Sequence, residues 1–94
     1  MNPTNTAIPT NRERFQAVLA DAYRDLFAND PEYAYSARLT TPDALAAKMT
    51  IGLANGSANL DGAGIRRACK ACGVRQTYKA LRPFLCATVT PEVR

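Results

Sequence analysis

Helix punctuation constrains this chain more than any other feature, because start and stop patterns recur every ten to twenty residues. Thr10 and Glu13 form a capping box: the threonine hydroxyl accepts from the Glu13 amide, and the Glu13 carboxylate reaches back to the Thr10 amide. Asp30-Pro31 and Thr41-Pro42 each pair a capping side chain with a proline suited to the first helical position. Asn55-Gly56 and Gly73 supply stops, where glycine takes the left-handed conformation that ends a helix. No stretch alternates apolar and polar residues with period two, so no strand is expected. The punctuation predicts an all-α fold, a single compact domain of four to five short helices.

The apolar spacing fills in the pieces. Phe15, Val18, Leu19, Ala22, Leu26 and Phe27 recur at three- and four-residue steps, which predicts a first helix over 11–28 with one buried stripe. Arg12, Asp21, Arg24 and Asp25 fall off that stripe. A short second helix runs from Pro31 to about Ala37. The third spans Pro42 to Ala54, with Leu45, Met49 and Leu53 in line. Gly52 inside it costs about 1 kcal/mol relative to alanine, and a close helix crossing is a reason to have it.

Asp61 is expected to cap a fourth helix, with Leu60 and Ile65 at the two positions of a hydrophobic staple. Ile65, Ala68, Cys69 and Cys72 form its buried face. Gly73 stops it and Val74 folds back. A fifth helix starts at about Arg75, with Val74, Tyr78, Leu81 and Leu85 inward, and Pro83 should kink or end it near Arg82. Residues 1–9 read as a disordered N-terminal lead, 10–87 as the helical domain and 88–94 as a frayed C-terminal tail. With 94 residues, 47% of them hydrophobic, the chain has material for one core and not two.

Charge is distributed unevenly. Residues 1–60 hold five cations and six anions, whereas residues 61–82 hold six cations and one anion. The net charge of +4 therefore belongs to the segment around Gly73. With Val74, Tyr78 and Leu81 turned inward, Arg75, Lys79 and Arg82 line the outside of the fifth helix. Arg66 and Lys70 pair at i, i+4 on the fourth. Such a face points to a polyanion, above all nucleic acid. The plain alternative is a solvated basic face with no ligand.

The pattern Ala68, Cys69, Cys72, Gly73, Val74 resembles the first helix and turn of the helix-turn-helix of bacterial and phage repressors, over about twenty residues. In that family, apolar positions fall six and nine residues after the glycine. Here those are Lys79 and Arg82, and the apolar Tyr78 and Leu81 come one residue early. One residue is about 100° of helix rotation, so the second helix starts sooner or docks differently. The resemblance implies a C-terminal helix-turn-helix-like hairpin and a non-catalytic regulator that acts by occupying double-stranded DNA. Arg66, Arg67, Lys70, Lys79 and Arg82 would anchor phosphates. Arg75, Gln76 and Thr77 would lie nearest the bases, with Arg75 suited to guanine and Gln76 to adenine. Many such readers are two-fold dimers, and no dimer surface stands out in the sequence.

A second reading is of another class. Size, polar ends and lack of catalytic residues look like the small accessory proteins of bacteriophages and plasmids. Many of those bind and inhibit a host protein, such as a defence nuclease complex, so the partner would then be a host nucleic-acid-binding protein. Tyr33, Tyr35 and Arg38 are candidates for a protein interface, since tyrosine and arginine favour interfaces. The alternative is a partly packed short helix, in which the two tyrosines, too close to share a face, leave one of them exposed.

Chemistry is sparsely provided for. Histidine is absent. Cys69-Lys70-Ala71-Cys72 has C-x-x-C spacing but sits at the end of a helix, where the dipole opposes thiolate formation. A zinc site needs about four ligands, and Cys86 is the one further cysteine. Buried small side chains are the expectation, with no metal and no cofactor. The glycine-rich run 56–64 lacks the lysine and spacing of a nucleotide-binding loop. No apolar run is long enough to span a bilayer, and the polar first residues do not read as a signal peptide, so the expected location is cytoplasmic.

Overall fold

The fold is built around its first helix. In a computed structural model, which describes residues 10–86, the chain forms α1 (Asn11–Asn29), a 3-10 turn (Pro31–Tyr33), α2 (Ala34–Leu39), α3 (Pro42–Asn55), α4 (Ala63–Cys72) and α5 (Tyr78–Cys86). The described residues contain no strand, so the expected small all-α domain is what forms. The predicted lead over 1–9 and tail over 88–94 lie outside the described residues. No helix among those described is long and apolar enough to cross a membrane.

Most of the local grammar acts as written. Both bonds of the Thr10–Glu13 capping box are present, at 3.1 and 2.9 Å. Asp30 accepts from the Glu32 amide and Thr41 from the Ala44 amide. Gly56 and Gly73 close α3 and α4 with positive φ, 82° and 69°. The Val74 amide then bonds the Cys69 carbonyl at 3.0 Å, which satisfies a terminal carbonyl of α4.

α1 packs against α3, α4 and α5. Its stripe brings Phe15, Leu19 and Leu26 into a core with Leu53, Ile65, Leu81 and Leu85. Each such side chain contributes about 1.5–3 kcal/mol on burial. α1 and α4 are antiparallel: Arg14, near the start of α1, lies by Cys72 at the end of α4, while Asp25 bonds Arg67 further back. The crossing is close because Gly64 lies under the Tyr23 ring, and a Cβ there would stand 2.6 Å from Tyr23 Cε1. Burial, and then the nearby Tyr33, push the Tyr23 hydroxyl up to about 12. Arg12, expected on the outer side of α1, is half-buried, and its Nε donates to the Leu85 carbonyl at 3.1 Å. That bond ties the last turn of α5 to the first turn of α1.

Several expectations are corrected. Asp61 does not cap α4: the cap is Gly62, without a side-chain bond, and Asp61 is exposed. Gly52 is not at a helix crossing. It faces Ala58 of the following loop, 2.6 Å from where a Cβ would stand, and its carbonyl accepts from the Ser57 and Ala58 amides. Pro83 does not end α5, which continues to Cys86. Its apolar face holds the last turn down through Leu85, and Cys86 Sγ bonds the Ala54 carbonyl at 3.4 Å. Cys69 is buried as expected, but Cys72 is only half-buried and Cys86 is exposed.

Two substitutions test this packing. Gly64→Ala should destabilise the domain by about 1–3 kcal/mol in urea unfolding, because the added methyl meets a buried ring; unchanged stability would contradict the close crossing. Thr50 is fully buried and its hydroxyl has no partner. Thr50→Val should therefore be neutral or stabilising by up to about 1 kcal/mol, and a clear loss of stability would show that the hydroxyl is bonded.

Candidate functional site

The basic segment does not form a compact hairpin. α4 packs on α1, α5 packs on α3 and α1, and α4 and α5 scarcely touch. The two helices of the expected hairpin follow one another through a loop without packing along each other. The reason lies in the loop between the helices and the first residue of α5. Gln76 Nε2 donates to the Leu60 carbonyl at 3.0 Å, and the Tyr78 hydroxyl donates to the Ala58 carbonyl. These bonds fasten the start of α5 to the loop after α3.

Helix five accordingly starts at Tyr78, not Arg75. Thr77 is its cap, with Oγ1 accepting from the Ala80 amide at 3.1 Å. Gln76 and Thr77, expected nearest the bases, are thus occupied in the structure's own bonding, while Arg75 is exposed in the loop. Tyr78, expected inward, is 38% exposed.

The cations sort by what they touch. On α4, Gly64, Ile65, Ala68 and Cys69 face the core, which leaves Arg66, Arg67 and Lys70 on the outer side. Arg67 is committed: its Nη1 bonds Asp25 at 2.8 Å. The Arg67 hydrogen bond, helped by one from Asn29, holds the Asp25 carboxyl below the usual aspartate range. Arg66, Lys70, Arg75, Lys79 and Arg82 are exposed and have no acidic partner among the described residues. Lys79 and Arg82 lie on the outer side of α5. The Arg82 guanidinium rests over Gly56, whose Cβ position is 3.6 Å from Cζ. There it meets the negative end of α3, a favourable place for a cation.

One cation was missed by reading the segment alone. Arg14 of α1 is exposed and lies beside Cys72, at the end of α4 that also carries Lys70. Arg14 therefore adds a cation from α1 near the end of α4. Nothing in the spacing of residues 61–82 announces a contributor so distant in sequence.

The rest of the surface offers little chemistry. Burial, and then mutual charge with Cys72, raise the Cys69 thiol to about 11, and burial also raises Cys72, opposed by Arg14. Neither is poised as a thiolate at neutral pH. No three metal-ligating side chains converge among the described residues. An open groove of about 270 Å³ between α1 and the start of α3 is lined by Glu13, Gln16, Ala17, Ala20 and Asp43. Its carboxylates lie on the flank of α1 away from α4, and Arg24 bridges Asp21 and Asp43 beside it. Tyr33, a candidate for a protein interface, instead packs inward with Tyr23 and Phe27, each pair of rings 6.1 Å apart. Tyr35 and Arg38 remain exposed. Comparison with protein families, with curated proteins and with solved structures finds no match.

The Asp25–Arg67 pair can be checked by titration. Its folded-state pKa is depressed, so its contribution to stability is present above the ordinary aspartate pKa and fades as pH falls through the lowered value. The contribution is small, because both groups are solvent-exposed and screened. In a carboxyl NMR titration, Arg67→Ala should return Asp25 towards the usual range; an unmoved Asp25 would contradict the pairing.

Proposed function

We propose that this protein is a small non-catalytic nucleic-acid-binding protein, which occupies double-stranded DNA through phosphate contacts from α4, the loop after it and α5. The observation that carries the reading is the set of exposed cations without acidic partners, Arg66, Lys70, Arg75, Lys79 and Arg82. Arg14 extends the set from α1. Arg67 is left out, because Asp25 neutralises it. The acidic flank of α1 repels a polyanion, so it favours approach from the α4 side.

Cations of this kind position a backbone and do not read bases. With Gln76 and Thr77 engaged elsewhere, Arg75 is the remaining candidate for a base-edge contact. The reading is therefore of binding dominated by phosphates and weak in sequence preference, with regulation by occupancy. The competing reading, inhibition of a host protein, draws its support from the exposed Tyr35 and Arg38.

A mobility-shift titration with a duplex of arbitrary sequence at two salt concentrations tests the proposal. Binding should weaken steeply with salt. Changing Lys70, Arg75 and Lys79 together to alanine should lower the log–log salt slope by about 2–3, at about 0.9 per phosphate contact. Arg67→Ala should have little effect. Absence of binding at low salt, or a slope untouched by the triple change, would overturn the reading.

A further inference from the structure

We propose that the outer face of the Pro31–Leu39 segment is a self-pairing surface that takes the same face of a second copy of this chain. α2 has six residues and buries none of them. Tyr35 and Leu39, one turn apart, are 70% and 68% exposed, more than any other large apolar side chain among the described residues. A helix this short is not stable by itself. Here it is held from behind, by the Asp30 cap, by Pro31 and by Tyr33 packing into the aromatic cluster. Its front is left without a neighbour.

The charges on that front identify the occupant. Glu32 lies three residues before Tyr35 and Arg38 three residues after it, and both are exposed without an ion pair among the described residues. A two-fold axis through Tyr35 sets Glu32 of one copy against Arg38 of the other, and the symmetry makes the pair twice. The same register lays Leu39 against Pro31 of the second copy and Tyr35 against Tyr35. A basic partner would satisfy Glu32 and leave Arg38 facing a like charge, and an acidic partner would do the reverse. Nucleic acid is disfavoured here by Asp30 and Glu32. Self-pairing satisfies both signs at once.

So small a face falls below the roughly 1,200 Å² of a stable interface, so the dimer is weak. It requires no nucleic acid, and its failure would leave the polyanion reading untouched.

Sedimentation velocity from about 10 µM to about 1 mM, the range in which an interface of low area assembles, reads the association. Glu32→Arg and Arg38→Glu should each weaken it about tenfold, since each removes two symmetric pairs and adds like charges. The double variant carrying both changes should restore it. Leu39→Ser should weaken it by at least about tenfold through lost apolar burial. All three positions are exposed, so far-ultraviolet circular dichroism should be unchanged. A monomer throughout the range, a dimer indifferent to Leu39→Ser, or a double variant as weak as either single one would each overturn the proposal.

Discussion

α4 packs extensively on one other helix, α1, and the display of charge follows from that single attachment. The seam is set by Gly64 beneath Tyr23, with Ile65, Ala68 and Cys69 filling the line behind it. A helix held along one side leaves the rest of its circumference in water. Arg66, Lys70 and Ala71 occupy that remainder, together with Arg67 at the edge next to Asp25. Were α4 covered by α5, as in a tight hairpin, part of this surface would be lost. The bonds from Gln76 and Tyr78 to the loop after α3 keep α5 on the other side.

The electrostatic layout is two-sided as a result. Glu13 and Asp43 line the groove between α1 and the start of α3, while Arg66, Lys70, Arg75, Lys79 and Arg82 lie on α4, α5 and the loop between them. The exposed ion pairs at the boundaries, Arg24 with Asp43 and Arg67 with Asp25, add little to stability in water. The proposed polyanion contact rests on this separation more than on the total of +4.

Local features were legible in the sequence and long-range ones were not. The capping box at Thr10, the proline starts at Pro31 and Pro42 and the glycine stops at Gly56 and Gly73 act within four residues, so their chemistry needs no tertiary context. The buried line of α1 was readable for the same reason. The start of α5 was not. Arg75 looks like a helix opener until Gln76 is seen bonding Leu60, sixteen residues away, and that contact leaves Thr77 to cap. Asp61 lost its expected role to Gly62, whose φ of 137° suits the entry to α4. In the candidate site, the i, i+4 pair Arg66 and Lys70 was readable. The neutralisation of Arg67 by Asp25, 42 residues apart, and the approach of Arg14 required the packed α1–α4 seam.

The most direct measurement is an amide NMR titration of the folded protein with a short DNA duplex at low salt. The account predicts shift changes confined to residues 63–82 and the Arg14 turn of α1, reversed on adding salt, with the acidic flank at the start of α3, around Asp43, unmoved. Changes centred on that acidic flank, or no changes at all, would contradict it.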